Sequence, residues 1–255
     1  MRWFIALVIA LTAVVLVKAV MDGCLGYILT TDVRSIAEFY LRSTYNVFNK
    51  THWAASPEAV NAILWDYRGL DTVYETTVLF IALLGCLVLA TKLSSEFMEV
   101  GEWLTIIART GVKLIIMFIA IIALILAFKG YVTPGGGFQG GSAFAIIPLL
   151  ILAAFSCKYL ENLGYRVNKA EALRSLGLLA IAAIAVLPFI FLSAYFLQNQ
   201  PKPWIPIGIP HVITFIYTGG TILFYNLAEL VVVSMEFTAI FIVLTLLRGE
   251  EHGGH

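Results

Sequence analysis

The sequence predicts an all-α integral membrane protein with about six transmembrane helices in two modules, and two observations support this fold class. Of the 255 residues, 60% are hydrophobic and 13% are charged, against roughly 45–50% and about 25% in an average soluble domain. The apolar residues also form runs near the roughly 20 residues that cross a bilayer. This composition excludes a disordered chain, a coiled coil, a nucleic-acid-binding protein and a disulfide scaffold.

Six apolar runs are predicted to span the membrane. They are residues 3–21, 73–91, 106–128, 140–157, 175–197 and 218–247. The first run is too long for a signal peptide and lacks a small-residue cleavage site, so a retained span is predicted. Pro203, Pro206 and Pro210 predict an irregular, re-entrant or interfacial approach to the last span.

The positions of the charges predict the topology, because the totals of 16 basic and 16 acidic residues cancel. When the loops alternate between the two sides, the short loops of one side hold just Lys129 and Lys202. The positive-inside rule then places both termini in the cytoplasm, in a multi-pass protein of the cell membrane. The basic residues assigned to the cytoplasmic side are Arg2, Lys92, Arg109, Lys158, Arg166, Lys169, Arg174 and Arg248.

An acidic stretch at 92–105 is the predicted boundary between two modules. The first module, 1–95, has two spans and a polar segment, 22–72, and the second, 100–255, has four spans. The polar segment is typical of a pair of short amphipathic helices, with Ser56 as an N-cap and a proline at the first helical position.

The three cysteines are far apart and lack clustered histidines, so neither a zinc nor an iron–sulfur site is predicted. The two histidines of the C-terminal tail could bind metal, but a disordered end is the simpler interpretation.

Acidic residues lie at the mouth of the second span. Asp71 and Glu75 are four residues apart, so on a helix their like charges are neighbours that something must relieve. A shared proton, a bound cation or Arg68 could do so. The alternative is a helix N-cap at Asp71 followed by Thr72.

Two further acids, Glu229 and Glu236, fall near the middle of the sixth span. They are seven residues apart, on the order of 10 Å along one helix face, and Asn226 precedes Glu229 by three residues. Intramembrane carboxylates usually face a bundle interior or a wet cavity, where they relay protons or bind ions. The alternative is a neutral acid that packs between helices by hydrogen bonding. Lys113 either extends to the interface or pairs with one of these acids.

A glycine-rich turn connects the third and fourth spans. Its central string runs Pro134, Gly135, Gly136, Gly137 and Phe138, followed by Gly140 and Gly141. It is not a phosphate-binding loop, because the GxxxxGK[ST] pattern is absent. Consecutive glycines allow a tight reversal, and the last two allow a neighbouring helix to approach closely.

This turn resembles the PGGGFxGG signature of the B subunit of Mrp-type multisubunit cation/proton antiporters, the MnhB-like domain. The resemblance covers about residues 106–247, which corresponds to the four spans of that subunit. Tyr131 and Thr133 stand where the family often has histidine and asparagine, and Glu229 stands in place of an aspartate of the last helix.

The first half resembles another part of the same assemblies. The string from Asp66 to Glu75, which includes Arg68, Asp71 and Thr72, is similar to the DxRGxDTxxE signature of the C-terminal end of the large Mrp A subunit. In membrane hydrogenases that end is a small separate subunit, the MbhE type. The resemblance therefore implies a fusion of an A-subunit tail with a B subunit.

The resemblance implies a subunit without catalytic chemistry or cofactor that helps to form a sodium path in a Na⁺/H⁺-exchanging complex. By resemblance, Asp71 and Glu75 become candidate cation-pathway residues, and the central string of the glycine-rich turn shapes that pathway. Sodium would bind only transiently. Implied partners are the other Mrp-like membrane subunits, both antiporter-like ones and small ones of the C, E, F and G types. A respiratory hydrogenase or sulfane/sulfur reductase is favoured over a stand-alone antiporter, and the rival hypothesis is a structural subunit that seals gaps between transport subunits.

Overall fold

The computed structural model describes residues 2–22, 33–90, 105–206, 208–213 and 216–250. The chain divides into two compact units, Met1–Phe39 and Tyr40–His255. The first unit contains α1 (Arg2–Met21), a 20-residue helix whose described side chains are mostly exposed. The second unit contains the helical bundle. The predicted acidic boundary at 92–105 falls almost wholly outside the described residues, as do the two tail histidines.

Five helices of the described chain are long and apolar enough to cross a membrane: α4, α5, α6, α8 and α9. This confirms the all-α membrane class. Helix α1 has a shorter apolar part among its described side chains, Ala6–Met21, so the sixth span and the division into two and four spans stay predictions. The elements after α1 are α2 (Ser35–Thr44), α3 (Ala59–Ala62), a π-helical turn (Ile63–Tyr67), α4 (Gly69–Ala90), α5 (Ile106–Lys129), α6 (Gly137–Ala154), α7 (Cys157–Asn162), α8 (Val167–Leu192), β1 (Val212–Ile213), β2 (Ile216–Tyr217) and α9 (Ile222–Glu250).

Helix α9 is the central helix of the bundle and packs against α4, α5, α6 and α8. Glycines let two of these neighbours approach closely. A Cβ atom added to Gly141 of α6 would lie 2.7 Å from the Cβ of Val233, and one added to Gly177 of α8 would lie 2.7 Å from Cγ2 of Val232. Both valines are fully buried. Polar side chains on this part of α9 therefore face protein and not lipid.

The described residues of three segments (44–68, 130–136 and 193–221) form a loop cap over the bundle end at which α4, α6 and α9 begin. Asn199 donates from Nδ2 to the Ala54 carbonyl at 2.8 Å, and the Tyr217 hydroxyl donates to the Ala55 carbonyl at 2.6 Å. Such bonds satisfy buried backbone groups that no helix or sheet pairs. The described part of 193–221 holds the antiparallel β1–β2 hairpin and no helix, in line with the irregular approach that the prolines predict.

Two sequence expectations, one for α8 and one for α3, are wrong. Helix α8 begins at Val167, eight residues before the predicted span, so Arg174 lies inside the helix and is 1% exposed instead of sitting in a loop. The N-cap of α3 is Glu58, whose carboxylate accepts the backbone N–H groups of the first helical turn, and not Ser56. The Ser56 hydroxyl instead donates to the Tyr131 carbonyl at 2.6 Å. In both cases a long-range contact outweighs the local signal.

Candidate functional site

The glycine-rich turn reverses the chain directly against the end of α5. The Gly136 N–H donates to the Leu126 carbonyl at 3.1 Å. Gly136 has a φ of +149°, and a Cβ added to the preceding residue, Gly135, would lie 2.7 Å from the Leu126 carbonyl oxygen. A side chain at either position would therefore strain the turn. The turn sets the place at which α6 begins.

Asn61 holds this turn from the first half of the chain. Its side-chain Nδ2 donates to the carbonyls of Gly130 and Gly135, at 2.7 Å each. Asn61 is 1% exposed and is oriented by Glu58, which caps α3. Sequence reasoning assigned no role to Asn61, although it lies five residues before the Asp66 motif; the signal was a polar residue in an otherwise apolar helix start.

The start of α6 lies against Glu229 of α9. A Cβ added to Gly137 would lie 2.5 Å from the Asn226 carbonyl oxygen and 2.6 Å from Oε2 of Glu229. The Glu229 carboxyl accepts a hydrogen bond from the backbone N–H of Phe138. Unpaired N–H groups and the helix dipole make a helix N-terminus favourable for a carboxylate. The PGGGF string thus positions an acid that is only 5% exposed.

Among the described residues, Glu75 of α4 is the charged side chain whose electrostatic effect reaches Glu229, and this effect is weaker than that of the Phe138 hydrogen bond. Glu75 lies six residues after the start of α4 and Glu229 seven after the start of α9, so both are about 10 Å from the loop-cap end. Glu75 is exposed on the surface of this chain, whereas Glu229 is buried. Two acids that were predicted separately, one at the mouth of a span and one inside another span, are thereby brought to one level of the bundle.

Asp71 has a different environment from Glu75. Helix α4 begins at Gly69, so Asp71 lies within the first turn and is not the N-cap. Its carboxylate accepts a hydrogen bond from Arg68 Nε at 2.6 Å. A shared proton, a bound cation or Arg68 could relieve the repulsion between Asp71 and Glu75. The structure shows Arg68 in an ion pair with Asp71. This ion pair is more than half exposed and contributes little stability.

Asp66 and Thr72, which belong to the same string from Asp66 to Glu75, stabilise the loop cap. Lys202 Nζ lies 3.1 Å from Oδ2 of Asp66, and both side chains are largely buried. Burial raises the pKa of Asp66 above its ordinary value of 3.8, although Lys202 acts in the opposite direction. The Thr72 hydroxyl donates to the Leu64 carbonyl at 2.6 Å. These positions are structural contacts rather than a second acidic cluster.

Polar atoms without a partner in the described chain lie where the loop cap meets the start of α9. They are Oδ1 of Asn61, Nε1 of Trp65, the hydroxyl of Tyr225, and Oδ1 and Nδ2 of Asn226. The Trp65 and Tyr225 rings stack at a centroid distance of 4.4 Å, and the amides of Asn61 and Asn226 both border the glycine-rich turn. Buried polar atoms are normally satisfied by protein, water or ions. These side chains include amide and hydroxyl oxygens of the kind that hydrate or bind a cation.

Glu236 lies deeper in the bundle and faces a cation that sequence reasoning had placed elsewhere. It is 0% exposed, and the charged group that acts on it is the guanidinium of Arg174 on α8. The Arg174 Cζ atom lies 4.2 Å from the centroid of the Phe80 ring. Lys113 is exposed on α5, with Nζ 5.6 Å from the centroid of the Phe155 ring. The basic residue beside Glu236 is therefore Arg174 and not Lys113.

Gly140 and Gly141 serve the packing that the sequence predicts for them. A Cβ on Gly140 would lie 2.8 Å from the Ala123 carbonyl oxygen of α5. Together with the contact of Gly141 on α9, this places α6 tightly between two helices. Within the described ranges, no group of three or more His, Cys, Asp or Glu side chains could hold a metal ion.

A comparison with known protein families shows the family to which this chain belongs. Residues 107–239 match the family described as "Domain related to MnhB subunit of Na+/H+ antiporter". The chain belongs to this MnhB-domain family. The match spans α5 to α9 up to residue 239, and so includes the PGGGF turn, Glu229 and Glu236. A putative antiporter subunit mnhB2 of Staphylococcus aureus (strain MRSA252) is 28% identical to this MnhB-domain protein over 137 residues, covering 52% of this chain and 94% of the relative.

Three further comparisons extend beyond the MnhB domain. An uncharacterized protein of Methanocaldococcus jannaschii is 27% identical over 184 residues, covering 65% of this chain and 68% of the relative. A chain in the structure of the membrane-bound sulfane sulfur reductase, an archaeal respiratory membrane complex, matches with a TM-score of 0.70 at 25% identity, covering 94% of this chain and 98% of that one. A chain of the Mrp complex from Dietzia sp. DQ12-45-1b shares the fold, with a TM-score of 0.69 at 18% identity, covering 93% of this chain and 26% of that one.

Proposed function

We propose that this MnhB-domain protein is a non-catalytic membrane subunit of a multisubunit Na⁺/H⁺ antiporter module, in which it helps to form the sodium translocation path. The observation that carries the proposal is the position of Glu75 and Glu229 at one depth of the bundle, on two helices that pack against each other. Two carboxylates that act on each other at this depth favour a shared proton or a bound cation between them.

The surroundings of the two acids suit a cation that binds and leaves. Glu229 is held by the Phe138 N–H and lies next to Asn226, whose amide has no partner in the described chain. Glu75 lies on the outer surface of α4, where a carboxylate facing lipid would be costly. A neighbouring membrane subunit that covers Glu75 would enclose the path between two proteins. A sodium ion would exchange its hydration shell for these oxygens.

The host complex is proposed to be respiratory, of the hydrogenase or sulfur-reducing kind, with antiporter-like and small Mrp-type subunits as neighbours. Support comes from the sulfane sulfur reductase chain, which aligns over nearly its whole length with this one. We further propose that residues 1–95 correspond to an A-subunit tail fused to the B-type module at 100–255, with both termini in the cytoplasm. Co-purification of a nickel- or iron–sulfur-binding subunit would identify a respiratory host, and its absence from an active complex would indicate a stand-alone antiporter.

The test is sodium uptake by the reconstituted complex carrying Glu75→Gln or Glu229→Gln. Each neutral isostere keeps the shape of the acid, so assembly is expected to persist, while sodium uptake falls by about tenfold or more for the loss of roughly 1.4 kcal/mol of ion binding. Glu161→Gln, on α7 and outside the site, is the matched control and is expected to leave uptake unchanged.

The competing function is a structural subunit whose acids carry no ion. The two ion pairs of the Asp66 motif, Asp66 with Lys202 and Asp71 with Arg68, are the observations that favour it. Assembled E75Q and E229Q complexes that both take up sodium at the normal rate would establish this structural role and overturn the sodium path.

A further inference from the structure

A second charged site lies on α9 below the Glu75–Glu229 level, and it is chemically unlike the first. Glu236 follows Glu229 by seven residues, about 10 Å further along the helix. Arg174 approaches it from α8, and Phe80 of α4 lies over the guanidinium. Three helices therefore enclose one acid and one base in the interior of the bundle.

The two charged groups face each other without a direct hydrogen bond. Nε and Nη1 of Arg174 and both carboxylate oxygens of Glu236 are buried, and none of the four has a partner in the described chain. A buried charge without hydrogen bonds is strongly unfavourable. Ordered water that bridges an acid and a guanidinium satisfies both at a small entropic cost. The geometry thus calls for water between Arg174 and Glu236.

The ligands around Glu236 do not suit sodium. Sodium needs several oxygen ligands at once, but the partner that faces the Glu236 carboxylate is a guanidinium, which offers N–H donors and no oxygen. The positive charge of Arg174 also offsets the negative charge of the carboxylate, so the site has no net charge with which to hold sodium. A proton, by contrast, needs just one carboxylate oxygen and a chain of water.

We propose that Arg174 and Glu236 enclose a water-occupied proton site that excludes sodium, and that α9 therefore carries two acids with different ions. The water site stands on its own geometry, while its use in exchange rests on the proposed function. Glu236 takes a proton from a hydronium ion, forming the carboxyl O–H bond as the hydronium becomes water, and returns the proton by the reverse step. Arg174 is a positioning residue that orients the water and keeps the carboxylate free of sodium. Glu171, one turn before Arg174 on α8 and electrostatically linked to it, continues the charged route toward the other end of the bundle.

The test compares the Arg174→Gln/Glu236→Gln double variant with wild type in the reconstituted complex. The double variant removes both charges together and avoids leaving one of them buried alone. The expected result is normal assembly, a KM for sodium within about twofold of wild type, and proton-coupled exchange slower by about 100-fold, the low end of what a positioned proton-transfer group contributes. Arg166→Gln, at the exposed start of α8, is the matched control. Arg174→Lys, a single variant that keeps the positive charge, is expected to exchange faster than the double variant and more slowly than wild type.

Two outcomes overturn the proposal. An assembled double variant that exchanges at the wild-type rate would make the pair structural, and a KM for sodium that rises as it does in E229Q would make it a sodium site. Radiolytic hydroxyl-radical labelling of the wild-type complex decides the matter if the double variant fails to assemble. Phe80 beside the proposed water is expected to be labelled well above Phe241, which packs in an apolar cluster; equal labelling would refute the water site. This readout is independent of whether E75Q and E229Q abolish sodium uptake.

Discussion

Gly137→Ala tests whether the PGGGF turn positions Glu229. The added methyl group would lie 2.5 Å from the Asn226 carbonyl oxygen and 2.6 Å from both Cβ and Oε2 of Glu229. Ordinary contact between such atoms needs roughly 3.5 Å, so the start of α6 must move away from α9 by about 1 Å. Overpacking of this size costs about 1–3 kcal/mol. The Phe138 N–H would also withdraw from the carboxylate.

Stability and transport are expected to respond to different degrees. A loss of about 1–3 kcal/mol lowers the unfolding midpoint by about 2–12 °C in a chain of this size. A displacement of about 1 Å in a binding site can reduce its rate by about 100-fold. We therefore expect thermal unfolding of the purified complex to shift moderately and sodium uptake by proteoliposomes to fall sharply.

Glycines on α4 and α5 supply matched controls for this variant. Neither Gly85 nor Gly111 has any atom within 4 Å of an added Cβ, so G85A and G111A are expected to be neutral or to stabilise their helices by up to about 1 kcal/mol. The reasoning is refuted if G137A melts and transports like G85A, because the α6–α9 contact would then not hold the acid in place.

Three other variants test the loop cap. Asn61→Ala leaves two buried carbonyls without a donor and is expected to destabilise the protein by about 2–6 kcal/mol in thermal unfolding, at about 1–3 kcal/mol for each lost partner. His211→Phe is expected to remove an acid sensitivity: burial, aided by Lys50, lowers the pKa of His211 below its ordinary value of 6.5, so the histidine favours the folded state above pH 6.5 and this contribution is lost as the pH falls through the lowered pKa. Hydrogen exchange of the cap at pH 7.5 and 5.5 measures this. Lys202→Met leaves Asp66 buried without its cation and is expected to cost about 3 kcal/mol, less at pH 5 than at pH 8, because the raised pKa of Asp66 lets it fold protonated at low pH.

For each of these variants, one outcome would contradict the expected result. Asn162→Ala, at an exposed position of α7, is the control for Asn61→Ala, and equal melting of the two would remove the role of Asn61 in the turn. Cap exchange that rises equally on acidification in wild type and His211→Phe would exclude His211 as the cause. A Lys202→Met loss that is independent of pH would show that Asp66 does not titrate in the folded protein.

The transmembrane helices are predictable because each of them needs a run of apolar residues, and such runs are local in the sequence. The boundaries depend on polar residues whose partners are remote. Arg174 illustrates the limit: beside Lys169 and Arg166 it was assigned to a basic loop, yet its guanidinium is buried opposite an acid of α9. No local pattern identifies that partner, because the contact depends on how α8 and α9 cross.

The sequence indicates which residues belong to the candidate site, but it does not indicate how they are arranged in space. Glu75 was identified as a like-charge neighbour of Asp71 at the mouth of one span and, by resemblance, as a cation-pathway candidate. Glu229, more than 150 residues away, was identified as a carboxylate near the middle of another span. Their proximity requires the tertiary fold. The role of Asn61 was missed for the same reason, since its two acceptor carbonyls lie about 70 residues away in the chain.

The hydrogen bonds from Asn61 to the glycine-rich turn join the two halves of one polypeptide. Since both partners belong to the same chain, they meet at an effective concentration that two separate small subunits would have to reach by diffusion and assembly. Such a tether favours equal stoichiometry of the halves and lets a few neutral hydrogen bonds suffice where an independent interface would need a larger buried area. Genetic separation of this chain between residues 91 and 104 would therefore convert a folding contact into a binding equilibrium, and the glycine-rich turn would depend on the concentration of its partner.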